Sequence, residues 1–188
     1  MRKIFKIILA IFTVIIILVV AFGLMIFLDF AAYTATGSQT LTPTGTSVGK
    51  ALVVYDPGLS GTAKGVADKV ASDLQAQSYT VTLAGIKSSA ASHTAGYSII
   101  VVGGPIYAGS PTASVKDDLK NLKPDSETKV GVFGSGQGPT SQSDIDMIKS
   151  SVPALSNNGS LSNAIVVKIG SSEDLNTRAQ GFVNQLVS

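Results

Sequence analysis

The chain has 188 residues, 14 basic and 12 acidic side chains and a formal net charge of +2, with 45% apolar residues and no cysteine. That length allows one ordinary domain plus an appendage. Without cysteine there is no disulfide, thiolate nucleophile, iron–sulfur ligand or lipid-acylated thiol. Past residue 32 the eleven basic and eleven acidic side chains balance, so no basic field marks a nucleic-acid partner.

Ile7 to Leu28 is apolar apart from Thr13 and Gly23. At ~1.5 Å per residue this run covers the ~30 Å hydrocarbon thickness of a bilayer, whereas the apolar core of a signal peptide is usually ~7–15 residues. Residues 1–32 therefore read as a retained transmembrane anchor, with the bilayer as partner of residues 7–28. The alternative is a long cleaved signal with small residues at Ala31, Ala32 and Ala35. Arg2, Lys3 and Lys6 precede the segment and no Lys or Arg follows before Lys50, which predicts a single-pass protein with a cytoplasmic N-terminus and an extracytoplasmic domain. Residues 33–49, rich in Thr, Gly and Ser, read as a flexible tether, and the domain as residues 50–188.

Ala51 to Tyr55 predicts a first strand, followed by the turn Asp56-Pro57-Gly58-Leu59-Ser60-Gly61-Thr62 and a helix burying Ala63, Val66, Ala67, Val70, Ala71 and Leu74. Thr80 to Leu83 predicts a second strand, after which a dozen small polar residues carry no readable periodicity. Tyr97 to Val102 is a third, without polar alternation, as in a parallel strand covered on both faces. It runs into Gly103-Gly104-Pro105-Ile106-Tyr107-Ala108-Gly109, where the glycines would let backbone approach a ligand. Ser110-Pro111 resembles a helix cap and first helical position ahead of Val115, Leu119 and Leu122.

Lys129 to Phe133 predicts a fourth strand, leading to Gly134-Ser135-Gly136-Gln137-Gly138, and Ser143 to Val152 a short helix with Ile145, Ile148 and Val152 inward. Asp144 and Asp146 read as solvated. Ala164 to Ile169 is a fifth strand, and Ser171 or Ser172 can cap a last helix with Leu175, Ala179, Phe182 and Leu186 inward. Alternating strands and helices predict a parallel sheet with helices on both sides.

A turn that feeds a helix N-terminus presents unpaired N–H groups, so Ser60 to Ala63 suits a phosphate, with hydroxyls from Ser60 and Thr62. The plain alternative is that Gly58 and Gly61 only make a tight turn. Asp56 would oppose an anion unless it points away. Gly45-Thr46-Ser47-Val48-Gly49-Lys50 is one residue short of a Walker A loop and precedes the first strand, and Gly134 to Gly138 lacks dinucleotide-fingerprint spacing. His93 has no companion for a metal site or triad, and Ser135 lacks nucleophile-elbow spacing.

Together the turns resemble the flavodoxin family over about residues 50–188. Gly103-Gly104-Pro105-Ile106-Tyr107 is similar to that family's loop after strand three, with Tyr97-Ser98-Ile99-Ile100 as its lead-in, and Ser60-Gly61-Thr62 to its phosphate loop, where Gly58 and Ala63 replace hydroxyl residues. The resemblance implies a three-layer α/β sandwich with a five-stranded parallel sheet in the order 2-1-3-4-5. It also implies a bound FMN and an unidentified redox partner. On that reading Gly58, Ser60, Gly61, Thr62 and Ala63 hold the phosphate. Gly104, Pro105, Ile106, Tyr107, Ala108 and Gly109 line the ring, with Tyr107 stacking, and Gly134, Ser135 and Gly136 approach its pyrimidine edge. The implied activity is electron transfer or oxidoreduction; the rival is a flavin-free binding or scaffolding module.

Overall fold

A computed structural model describes residues 2–31 and 35–188, and side chains from Phe5 to Ile26 and from Ala35 onward. Ala32 and Tyr33, named above for the cleavage alternative and the start of the tether, lie outside the described residues.

Helix α1 (Arg2–Ala31) contains the 22-residue apolar stretch Phe5–Ile26, long and apolar enough by length and composition to cross a membrane. The rest of the chain runs β1 (Ser38–Leu41), β2 (Gly49–Tyr55), α2 (Thr62–Ala76), β3 (Tyr79–Gly85), β4 (Ile99–Tyr107), β5 (Ser110–Pro111), α3 (Ala113–Asn121), β6 (Lys129–Gly136), α4 (Gln142–Ser151), β7 (Ile165–Gly170) and α5 (Leu175–Val187).

The sheet order is β1-β3-β2-β4-β6-β7, with β5 folded back on β4. Strands β3, β2, β4, β6 and β7 are mutually parallel, giving the 2-1-3-4-5 order expected for five strands. Two further strands enlarge the sheet, and both are short and antiparallel. β1 pairs with β3 from Ser38↔Ala84 to Leu41↔Val81. Residues 38–41 are therefore an edge strand, not part of a flexible tether. An exposed edge strand needs no apolar alternation, so nothing in Ser-Gln-Thr-Leu marked it.

Strand alternation splits the core into two layers. Ala51, Val53, Val81, Leu83, Ile99 and Val101 pack under α2 and α5. Leu52, Val54, Ala84, Ile100, Val102 and Val132 pack under α3 and α4. Gly103 sits opposite Phe133 in the ladder, and a Cβ there would lie 2.3 Å from the Phe133 ring. This glycine makes room for a core aromatic, not for a ligand.

Two predicted helix starts shift. α3 begins at Ala113 because Ser110 and Pro111 are spent on β5 and the Thr112 hydroxyl, though at the cap position, points elsewhere. α5 is capped by Asp174, which accepts from the Thr177 amide at 2.7 Å, while Glu173 turns back to accept from the Gly170 amide.

Candidate functional site

The site lies where β2, β4 and β6 end. Past Tyr55, Asp56 is 0% exposed, and its Oδ1 accepts from the Gly58 amide at 3.0 Å, closing a tight turn. Gly58 has φ +62°, and a Cβ there would stand 2.7 Å from Pro105 Cγ and 3.1 Å from the Tyr107 hydroxyl. Both backbone conformation and crowding demand glycine. The Leu59 amide donates to Tyr107 Oη at 3.4 Å, so the first turn is stitched to the end of β4.

Gly61, at φ +70°, is the N-cap of α2 and offers no side-chain cap. Its neighbours respond locally: the Thr62 amide donates to Ser60 Oγ at 3.3 Å, and the two hydroxyls lie 2.9 Å apart. Nothing lies within 4 Å of a Cβ built on Gly61. An open, positively polarised helix start flanked by two exposed hydroxyls is suited to an anion.

The facing wall comes from β4 and β6. Tyr107 and Ser110 close a two-residue hairpin whose central residues, Ala108 and Gly109, both have positive φ, as a type I′ turn requires. The Ile106 side chain covers Gly134, where a Cβ would lie 2.6 Å from Ile106 Cγ1. Between the walls is a crevice of about 140 Å³, lined by Ser60, Thr62, Pro105, Ile106, Tyr107, Ser135, Gly136, Gln137 and Ser171.

Most of the expected residues converge there. Ser60, Thr62, Pro105, Ile106, Tyr107, Ser135 and Gly136 line the crevice, and Gly58 backs it through Pro105 and Tyr107. Gly61 opens the adjoining helix. The others fall elsewhere. Ala63 is buried in the core under α2. A Cβ on Gly104 would meet Val115 and Asp56, Gly134 is roofed by Ile106, and Ala108 and Gly109 form the hairpin tip, where Met147 crowds Gly109. These positions serve packing and turn geometry.

Buried charges brace both sides, and sequence reasoning assigned neither a role. Asp56 Oδ2 accepts from Thr112 Oγ1 at 2.8 Å and from Ser114 Oγ. The carboxylate thus points away from the crevice and joins the first turn to the segment behind the hairpin. Lys168, 7% exposed, donates to Asp144 Oδ2 at 3.0 Å and to the Pro139 carbonyl at 3.3 Å. Asp144 also closes a capping box with Ser141, so it is engaged, contrary to the solvated reading. The Lys168 ammonium and then Ser141 hold the Asp144 carboxyl below its ordinary range. Burial pushes Glu173 upward, but hydrogen bonds from Thr140 and the Gly170 amide outweigh it and leave the carboxyl lowered. A charged residue inside the apolar run Ala164 to Ile169 was the available signal for Lys168.

Of the larger hollows, two exceed 300 Å³ and lie away from the glycine turns. One, about 320 Å³, lies between α3 and a short 3-10 turn at Ser89–Ser92. Asp118 lines it, and burial pushes its carboxyl up to about 6 against the pull of Lys87. The other, about 590 Å³, is at the opposite end of the sheet, around Glu127, Lys129, Asn163 and Gln185. Among the described residues no group of three or more His, Asp or Glu is placed to hold a metal ion.

No protein-family model matches the chain, and no curated protein does. Solved structures do. The chain is similar to oxidised flavodoxin 2 from Bacillus cereus, at 20% identity and TM-score 0.53 over 73% of this chain and 97% of that one. It is similar to the Streptococcus pneumonia TIGR4 flavodoxin at 20% identity and TM-score 0.53, over 73% and 97% of the two chains. Rubredoxin oxygen:oxidoreductase from Desulfovibrio gigas aligns at 21% identity and TM-score 0.51, over 76% of this chain but 37% of that chain. At these identities the likeness establishes architecture, and it agrees with the strand order and layering described above: the domain has the flavodoxin-like fold.

Proposed function

We propose that this chain is a membrane-anchored flavodoxin-like protein that binds FMN and exchanges electrons with a partner at the membrane. Residues 7–28 serve as the anchor, and the domain stands outside the cytoplasm by the distribution of Arg2, Lys3 and Lys6 against the basic-free stretch up to Lys50. The carrying observation is the convergence of Ser60 and Thr62, at the open start of α2, with Pro105 to Tyr107 and Ser135 to Gly136 in one crevice. Solved flavodoxins and flavodiiron proteins among the structural neighbours support the redox reading.

The residues fit the phosphate end of FMN. The hydroxyls of Ser60 and Thr62 and the amides of the first turn of α2 would hold it, with main-chain donors compensating for Gly58 and Ala63. At the ring end the crevice is smaller than the ~300–1,000 Å³ typical of small-molecule sites. Ile106 and Tyr107, which line the rim of the crevice, would hold the ring from one side. FMN, when bound, supplies the electron chemistry. The protein's part is to grip the phosphate, orient the ring by Tyr107 and keep Asp56 turned away from the anion.

The crevice volume and the Tyr107–Leu59 contact also favour a second reading, a flavin-free module using the same fold for binding or scaffolding. Full-length protein in detergent, titrated with FMN, separates the two. Saturable quenching of flavin fluorescence with a shifted visible spectrum is expected, and Tyr107→Ala should weaken binding about tenfold, the equivalent of ~1.4 kcal/mol of ring contact. No binding at millimolar FMN would leave the scaffold.

A further inference from the structure

The point at which the chain joins the sheet fixes which end of the domain meets the membrane. β1 is antiparallel to β3, with Ser38 beside Ala84 and Leu41 beside Val81, so it starts at the carboxyl end of the parallel strands and runs away from it. The contact continues upstream. The Gly85 amide donates to the Gly37 carbonyl and the Lys87 amide to the Ala35 carbonyl, each at 2.8 Å. Gly85 is shaped for this: a Cβ there would lie 2.6 Å from both Ala35 Cβ and the Ala35 carbonyl oxygen. Ala35 is thus pinned at the same end of the sheet as the crevice.

Covalent reach then limits the geometry. The apolar stretch ends at Ile26 and α1 at Ala31. Five helical residues rise about 7.5 Å, and the four residues to Ala35 span at most about 14 Å even when fully extended. The headgroup zone itself takes roughly 5–8 Å on each side of the hydrocarbon. The carboxyl end of the sheet is therefore held within about 15 Å of the headgroups. The far end is one nine-residue strand away at β4, roughly 30 Å along the strand axis. Leu59, 44% exposed at the tip of the β2–α2 turn, and Met147, 41% exposed beside the hairpin, present apolar side chains at the near end.

We propose that the crevice end of the domain faces the bilayer and docks on the lipid headgroup surface, so that whatever enters or leaves the crevice does so at the membrane plane. The inference rests on the anchor reading and is independent of FMN.

The test uses the full chain, whose lack of cysteine allows single-site labelling. Leu59→Cys and Gln137→Cys report the crevice end, Glu127→Cys and Asn163→Cys the opposite end, and Leu18→Cys the apolar helix. Each variant carries a fluorophore in phosphatidylcholine vesicles that contain headgroup spin-labelled lipid or acyl-chain spin-labelled lipid. The expected result is quenching by the headgroup label at least threefold stronger at 59 and 137 than at 127 and 163, with position 18 quenched by the acyl-chain label. Equal or reversed quenching at the two ends, with position 18 still quenched, overturns the orientation while leaving the anchor standing. Failure of the protein to float with vesicles, or no acyl-chain quenching at position 18, overturns the anchor and the orientation with it. Gly85→Val, which displaces Ala35, should reduce the difference between the two ends.

Discussion

Asp56 and Lys168 are both nearly closed to solvent and both sit behind a wall of the crevice, yet they are satisfied differently. Among the described residues no cation pairs with Asp56; two hydroxyls and one amide donate to it. Lys168 has a carboxylate partner, Asp144, whose side chain is 24% exposed, and a backbone carbonyl. The first arrangement gathers donors from two separate loops onto one carboxylate, so its loss orphans groups on both. The second ends at the surface, where water can replace a lost partner. A buried anion solvated only by neutral donors is thus the more demanding joint, because hydrogen bonds to charged groups are worth about 1.5–3 kcal/mol and abandoned buried groups cost about 1–3 kcal/mol each.

Breaking the first joint should give the largest effect. Asp56→Ala strands Thr112, Ser114 and the Gly58 amide, and should destabilise the domain by about 3–4 kcal/mol in urea unfolding. A loss under 1 kcal/mol would mean the hydroxyls find other partners. Lys168→Met should cost less, about 1–2 kcal/mol, since Asp144 keeps Ser141 and gains water. If it matched Asp56→Ala, the contrast between the joints would fail. Smallest is the effect of Asp118, a partly exposed carboxyl on α3 that sharpens the comparison because burial raises it to about 6 and, among the described residues, its Oδ2 has no hydrogen-bond partner. Below its unfolded pKa of 3.8 the group is neutral in both states. Between pH 3.8 and about 6 the folded chain keeps a proton that the unfolded chain has lost, so stability falls across that window and is level above it. Solvent screening limits the change to about 1 kcal/mol or less. Asp118→Asn should flatten stability between pH 4 and 6.5, and an unchanged slope would assign it to another group.

The parallel strands were legible because burial on both faces leaves uninterrupted apolar runs such as Ile99 to Val102, whereas their order and most of the crevice residues came from the resemblance of the turns to the flavodoxin family. What escaped was long-range or marginal. Lys168 meets Asp144 across 24 residues, and no local spacing records such a pair. Thr112 looked less like a cap than Ser110 because nothing nearby shows that its hydroxyl is drawn to Asp56, 56 residues earlier. Ala108 gives no hint of a positive φ, which alanine adopts rarely and here only because the hairpin closes around it. Glycines were the most ambiguous: Gly103 and Gly104 read like ligand-facing residues but yield space to Phe133, Val115 and Asp56.

The four-residue β1 also changes what neighbouring copies could do to one another. A sheet border presents unpaired N–H and C=O groups and invites another strand to add to it. Here one border ends in the brief polar run Ser-Gln-Thr, and the other, β7, carries an inward-facing lysine. Short outer strands and a charge set among apolar residues both discourage edge-to-edge joining, so the segment that links α1 to the rest of the sheet also shields that border from a neighbouring copy.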